Sequence, residues 1–173
     1  ISGGYCNINN NVGNSTISGG YQNHQSSGSN GTISGGYKNY QDNGSGMTIS
    51  GGYCNTMHGA GSVTISGGYQ NYITDASYST ISGGYQNTLH KATNSTISGG
   101  YKNELTESQF SAIVGGCESV ISGFTASFVL GSNITADRDC TTFVNNLSIT
   151  DIPTSNVGLP SGSIWRDGVN LKI

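Results

Sequence analysis

One isoleucine column organises this chain. Counting by sixteen from Ile1, the same position holds Ile17, Ile33, Ile49, Ile65, Ile81, Ile97, Ile113 and then Val129, with no insertion or deletion over nine turns. The polar positions keep the same step. Position sixteen is Thr in six turns (Thr16 to Thr96), and positions three and four are Gly-Gly in eight, from Gly3-Gly4 to Gly115-Gly116. Position five is Tyr in seven turns (Tyr5, Tyr21, Tyr37, Tyr53, Tyr69, Tyr85, Tyr101), and position seven is Asn in seven (Asn7, Asn23, Asn39, Asn55, Asn71, Asn87, Asn103). Positions eight to eleven vary freely, as in "HQSS", "YQDN", "TMHG" and "ELTE", and position twelve is mostly small or apolar (Val12, Ala60, Ala76, Ala92).

A fixed period of this length marks a solenoid, whose repeats contact only their neighbours. Thr-Ile-Ser is a short β-prone run. It leads into paired glycines, which suit a corner with positive φ or a backbone approach too close for a Cβ. The pattern predicts an all-β fold: each turn holds two short strands joined by tight corners, with the variable residues on an exposed side. Successive turns pair as parallel strands about 4.8 Å apart, so nine turns make a rod of roughly 43 Å. Like residues then stack into ladders of Ile, Tyr and Asn, the Asn amides bonding from rung to rung as in stacked cross-β assemblies.

Energetics add an expectation about partners. An Ile, part of a Tyr and one small apolar residue per turn supply about 4–6 kcal/mol of burial. Ordering sixteen backbones costs on the order of 16–32 kcal/mol. The shortfall points to further copies packed about a common axis. On that view the Ile ladder either fills the coil or faces the oligomer axis, and the sequence leaves both open.

Composition shifts near residue 105: every Tyr lies at or before Tyr101, whereas Phe110, Phe124, Phe128, Phe143 and the single Trp come later. Three regions follow: regular repeats over 1–112, degenerate terminal coils with a bulkier core over 113–144, and a closing segment over 145–173. The last contains Pro153 and Pro160 and a predicted hairpin in which "SIW" and "VNLKI" flank Arg166-Asp167-Gly168.

Totals narrow the function classes. With 28 glycines, two prolines and a net charge of −3, the chain carries no basic footprint for nucleic acid. No apolar run approaches the ~18 residues of a membrane span. The opening "ISGGYCN" sits in mid-repeat, so we expect a piece of a longer rod and no signal peptide.

The "STISGGYxN" unit resembles the YadA-like head repeats of trimeric adhesins and of viral fibre proteins, over residues 1 to about 132. The resemblance implies a left-handed parallel β-roll wound as a homotrimer. The end, "LSITDIPTSNVGLPSGSIWRDGVNLKI", looks like the C-terminal ends of phage and algal-virus structural proteins. The bacterial adhesins have a helical stalk and a membrane anchor, and this chain shows neither.

Candidate chemistry is sparse. Cys6 and Cys54 share position six three turns apart, roughly 14 Å, beyond disulfide reach. Cys117 and Cys140 fall in adjacent turns, and all four are expected as free thiols, which fits assembly in a reducing cytosol. His58 and His90 share position ten two turns apart, too far to bind one zinc, and His24 stands alone, so no metal or cofactor is expected. Asp75 and Glu107 share position eleven about 10 Å apart, outside the spacing of an inverting glycosidase pair. No enzyme is expected. The Thr16 to Thr96 and Ser18 to Ser98 files form a Thr-x-Ser array like those of ice-binding β-solenoids if Ile points inward, and the Tyr file is expected as packing ahead of a platform for sugars. Sequons at Asn14, Asn30, Asn43, Asn94, Asn133 and Asn146 are at chance frequency for this composition.

The expected function is a structural fibre or adhesin at a virion surface or outside a cell, presenting a host-attachment surface. Its expected partners are itself, other virion proteins, and a host-surface glycan or protein receptor bound by the variable positions. A bacterial trimeric surface adhesin and an ice-binding solenoid are the alternatives.

Overall fold

The computed structural model describes residues 1–148, 152–155, 157–158, 161, 163–167 and 170–172. Among these residues there is no helix; the chain is a parallel β-solenoid of sixteen-residue coils. Thr16–Ile17, Thr32–Ile33, Thr48–Ile49, Thr64–Ile65, Thr80–Ile81, Thr96–Ile97 and Ala112–Ile113, continued by Phe128–Leu130 and Thr142–Val144, form one nine-stranded sheet. Its register sets Ile33 beside Ile49 and Ile49 beside Ile65, each a full repeat apart. The second sheet has eight strands, Ile8–Gly13, His24–Ser29, Tyr40–Asp42, Thr56–His58, Tyr72–Thr74, Thr88–His90, Glu104–Thr106 and Val120–Ser122.

The Ile file faces the coil interior. Ile17 through Ile113 are 0% exposed in a single chain, so no oligomer axis is needed to cover them. They meet a second buried file at position nine, Met57, Ile73, Leu89, Leu105 and Ile121. This corrects the expectation that positions eight to eleven are uniformly exposed: strand alternation turns eight and ten outward and nine inward. Position fifteen is buried too, by Met47 and Val63 in two turns and by Ser79, Ser95, Ser111 and Ser127 in four. Among the described residues the single chain buries nineteen apolar side chains, of which the Ile column supplies eight.

These pairings show that one coil is two eight-residue halves with the same plan. Tyr69 N donates to Gly84 O at 2.9 Å and Gln70 N to Tyr53 O at 2.9 Å; eight residues on, Ser77 N donates to Ala92 O at 3.4 Å and Tyr78 N to Gly61 O at 3.0 Å. Isolated parallel bridges join Tyr to Tyr at position five and Ser29, Ser45, Gly61 and Ser77 at position thirteen. Each coil thus has four sides rather than two, with corners at the Gly-Gly pair and at positions six, eleven and fourteen. Non-glycine residues hold left-handed φ at those last three. Cys6, Gln22, Lys38, Cys54, Gln70, Gln86, Lys102 and Glu118 all lie between 52° and 55°.

The Gly-Gly corner separates two uses of glycine. A Cβ on Gly67 would meet nothing, but its φ of +149° disfavours any other residue. A Cβ on Gly68 would overlap the Gly84 carbonyl oxygen of the next coil.

The terminal coils shorten. The step falls to fifteen where Val120 bridges Thr135, and to fourteen where Val129 pairs with Phe143. Phe124, Ile134 and Phe143 pack against the core there, bulkier than the residues of the regular coils. Beyond them Trp165–Asp167 pairs antiparallel with Asn170–Lys172; Pro160 and Gly168 lie outside the described residues.

Two substitutions separate strain from overlap. Gly67→Ala is expected to cost about 1–3 kcal/mol, the range for a strained backbone, and Gly68→Ala more than about 4 kcal/mol. The shift in chemical denaturation midpoint reads both.

Candidate functional site

The interior ladders hold the outward surfaces in place. Asn23, Asn39, Asn55, Asn71, Asn87 and Asn103 are all fully buried. The Asn55 amide nitrogen lies 3.0 Å from Gly51 O in its own corner, 3.1 Å from Gly68 O in the next coil and 3.2 Å from Asn39 Oδ1. Its own Oδ1 accepts the Asn71 backbone N–H at 3.0 Å. The Asn file therefore does more than bond amide to amide: it staples each Gly-Gly corner to the following one. Buried polar groups left unpaired are costly, so a complete set of partners is a demand on every rung.

A matching serine file at position fifteen does the same in the other half. Ser79 Oγ donates to Ala92 O at 3.1 Å and accepts the Ser95 N–H at 3.1 Å. Its signal was present in the letters, as Ser15, Ser79, Ser95, Ser111 and Ser127 recur at the repeat step. In the second and third coils Gln25 and Gln41 take position nine, with Gln25 Nε2 donating to Gln41 Oε1 at 2.7 Å, and Gly31 leaves room for their amides.

Three surfaces result. The first is the outward face of the nine-stranded sheet, with Ser18 to Ser98 exposed and Thr32 to Thr96 half-buried in two straight files. The second is the Tyr edge. Tyr21, Tyr53, Tyr69, Tyr85 and Tyr101 are 37–39% exposed, and adjacent rings, Tyr37 included, stack at 4.7–5.3 Å between centroids. Because each ring covers its neighbour's face, only the rims meet solvent. A sugar has no free ring face within the file, and the rings pack on one another as the ladder reading expects. Lys38 and Lys102 place their ammonium groups 5.1 and 5.0 Å from the Tyr37 and Tyr101 ring centroids.

The third surface is the outward face of the eight-stranded sheet, and it is where the coils differ. His24 meets Tyr40 edge-on at 5.2 Å, and His58 Nδ1 lies 3.2 Å from the Asp42 carboxylate. Burial, with the Asp42 charge second, pushes the Tyr40 hydroxyl above its usual range. Asp75 and Glu107 stand at corners with Lys91 on the rung between them, and Lys91 Nζ is 3.4 Å from Glu107 Oε1. The two carboxylates are thus parts of an exposed charge ladder. Cys6, Cys54, Cys117 and Cys140 are free. His90 shares the outward file with His58 two coils away. Among the described residues no group of three or more His, Cys, Asp and Glu is placed to hold one metal ion.

No protein-family profile matches the chain, and neither does any curated protein. Among solved structures it is similar to the polySia-specific acetyltransferase NeuO, at 13% identity over 83% of this chain and 80% of that one, with a TM-score of 0.28. The expectation of a chain without enzymatic activity is withdrawn on this finding, since a protein it is similar to is an enzyme. At that TM-score the likeness carries no reaction, substrate or site to this chain.

Alternation on the varied face is directly testable. Leu89→Ala is expected to cost about 2–5 kcal/mol, as for a core leucine. Thr88→Tyr, which copies the preceding coil's Tyr72, should stay within about 0.5 kcal/mol. Equal effects in thermal melts would contradict the inward placement of position nine.

Proposed function

We propose that the chain is the shaft or head of a virion fibre that projects a host-attachment surface from the virion. Its first partner is itself, as a homotrimer; its others are further virion proteins and a host-surface glycan or protein receptor. One observation carries this reading. Sequence variety is concentrated in the second half of each coil, outward at positions eight, ten, eleven, thirteen and fourteen, while the Thr-Ile-Ser-Gly-Gly-Tyr half repeats almost unchanged. A scaffold held constant behind a varied display suits recognition, and repetition along the rod lets weak contacts add up. The resemblance of "STISGGYxN" to trimeric adhesin heads, and of the chain's end to viral structural proteins, supports a virion surface; a bacterial trimeric adhesin shares the first resemblance without the second.

A second reading is favoured by the inward Ile file. With Ile buried, Thr and Ser point outward from a sheet of parallel two-residue strands, the arrangement that an ice-binding solenoid requires. A trimer packed on that face would cover it.

Static light scattering with small-angle scattering separates the two. The fibre reading expects an elongated particle near 53 kDa, three times the 17.8 kDa chain. A single-chain mass together with thermal hysteresis in cold solution would replace it with the ice-binding reading.

A further inference from the structure

The Thr-Ser face changes character in its last three coils. At position two every regular coil carries Ser, yet the file continues as Val114, Leu130 and Val144, 54%, 46% and 37% exposed. Strand register aligns them: Ala112 pairs with Phe128 and Phe128 with Thr142, Leu130 with Val144. Phe128, 40% exposed, stands beside them on the same outward face. A contiguous apolar patch on an otherwise hydroxyl-lined sheet marks a contact surface.

Charge points the same way. Within residues 1–130 every Lys, Asp and Glu falls at position six, eight, ten or eleven, and none at positions twelve to sixteen or one to five. The Thr-Ser face and its Gly-Gly border therefore carry no charge over residues 1–130, whereas Lys38 and Lys102 reach over the neighbouring Tyr edge. Interface cores are depleted of charge in this way, so closing this face against another surface desolvates no ion.

We infer that the apolar C-terminal end of the Thr-Ser face is the self-contact of the fibre, turned in each of the three copies toward their common axis. This rests on the self-association proposed above and assigns it a surface. Two features select a second copy over an unrelated partner. The face repeats at the strand spacing of about 4.8 Å, which only another rod of the same rise matches rung for rung. The patch is also too small alone: a stable interface covers about 800 Å² per partner, and four side chains supply only part of that. The uncharged hydroxyl rungs continuous with it extend the contact along the rod. The regular coils then add area and register, while the last coils supply the apolar anchor that hot spots require.

The test restores the repeat. Val114→Ser with Leu130→Ser places at both positions the residue that every regular coil carries there, so the coil interior is untouched. Light scattering of the full chain is expected to show a threefold fall from the trimer mass to the single-chain mass, with circular dichroism unchanged. A second variant, Ser82→Lys with Ser98→Lys, charges the same face on regular rungs and is expected to dissociate the particle as well. Tyr53→Ser with Tyr69→Ser, on the neighbouring edge, should leave the mass unaltered. If wild type is oligomeric and both face variants keep its mass, the surface assignment is overturned while the fibre reading stands. A wild type of single-chain mass at every concentration overturns self-association itself, and with it this inference. If the Tyr pair dissociates the particle and the face variants do not, the contact belongs to the Tyr edge.

Discussion

The buried Asn amide at position seven is paired on every rung, and that requirement governs this fold. Each Asn at position seven serves two carbonyls and one backbone N–H drawn from two successive coils. The bonds close only if the chain returns to the same place after sixteen residues, with a glycine carbonyl waiting there. The Gly-Gly pair follows from this. One glycine turns the corner, and the other lets the next coil approach until its carbonyl reaches the amide. The Ile file, the stacked Tyr rings and the strand register follow from the same spacing.

The eight-residue half-plan explains why the coil closes without a second chain. Ile at position one is answered at nine by Met57, Ile73, Leu89 and Leu105, Asn at seven by Ser79, Ser95 and Ser111 at fifteen, and glycine at four by Gly28, Gly44, Ala60, Ala76 and Ala92 at twelve. Burial counted from the Ile column alone omits the second half of each coil. The proposed self-association is then a matter of surfaces, and it is assigned to the uncharged Thr-Ser face.

Legibility in the sequence divides along the same line. The half written in constant letters, Thr-Ile-Ser-Gly-Gly-Tyr-x-Asn, could be read as strand, corner and ladder before any coordinates. The other half keeps the geometry but changes its letters. Position nine runs Gln41, Met57, Ile73, Leu89, Leu105, which hides a buried file inside a stretch that looks variable. Corners at six, eleven and fourteen left little trace, because Gln, Lys, Asp, Tyr and Phe all occupy left-handed φ there. Asn is the partial exception. Asn14, Asn30, Asn43, Asn94 and Asn133, which read as glycosylation sequons, all sit at positive φ. Asn tolerates that conformation better than most residues, so the corners account for them. The apolar end of the Thr-Ser face was written openly in Val114 and Leu130, but only the register showed that they share one file with Val144.

The period itself is the claim on which all of this stands, and a pair of deletions tests it. Removing residues 65–80 takes out one whole turn and joins Thr64 to Ile81; removing 65–79 leaves one residue too many. The account predicts that the first variant melts cooperatively with its β-sheet circular dichroism intact, as a rod one rung shorter. The second should be destabilised by more than about 3 kcal/mol, because the coil that follows the junction is carried one residue off the Asn55 rung it must pair with. Equal stability of the two in denaturant would contradict it.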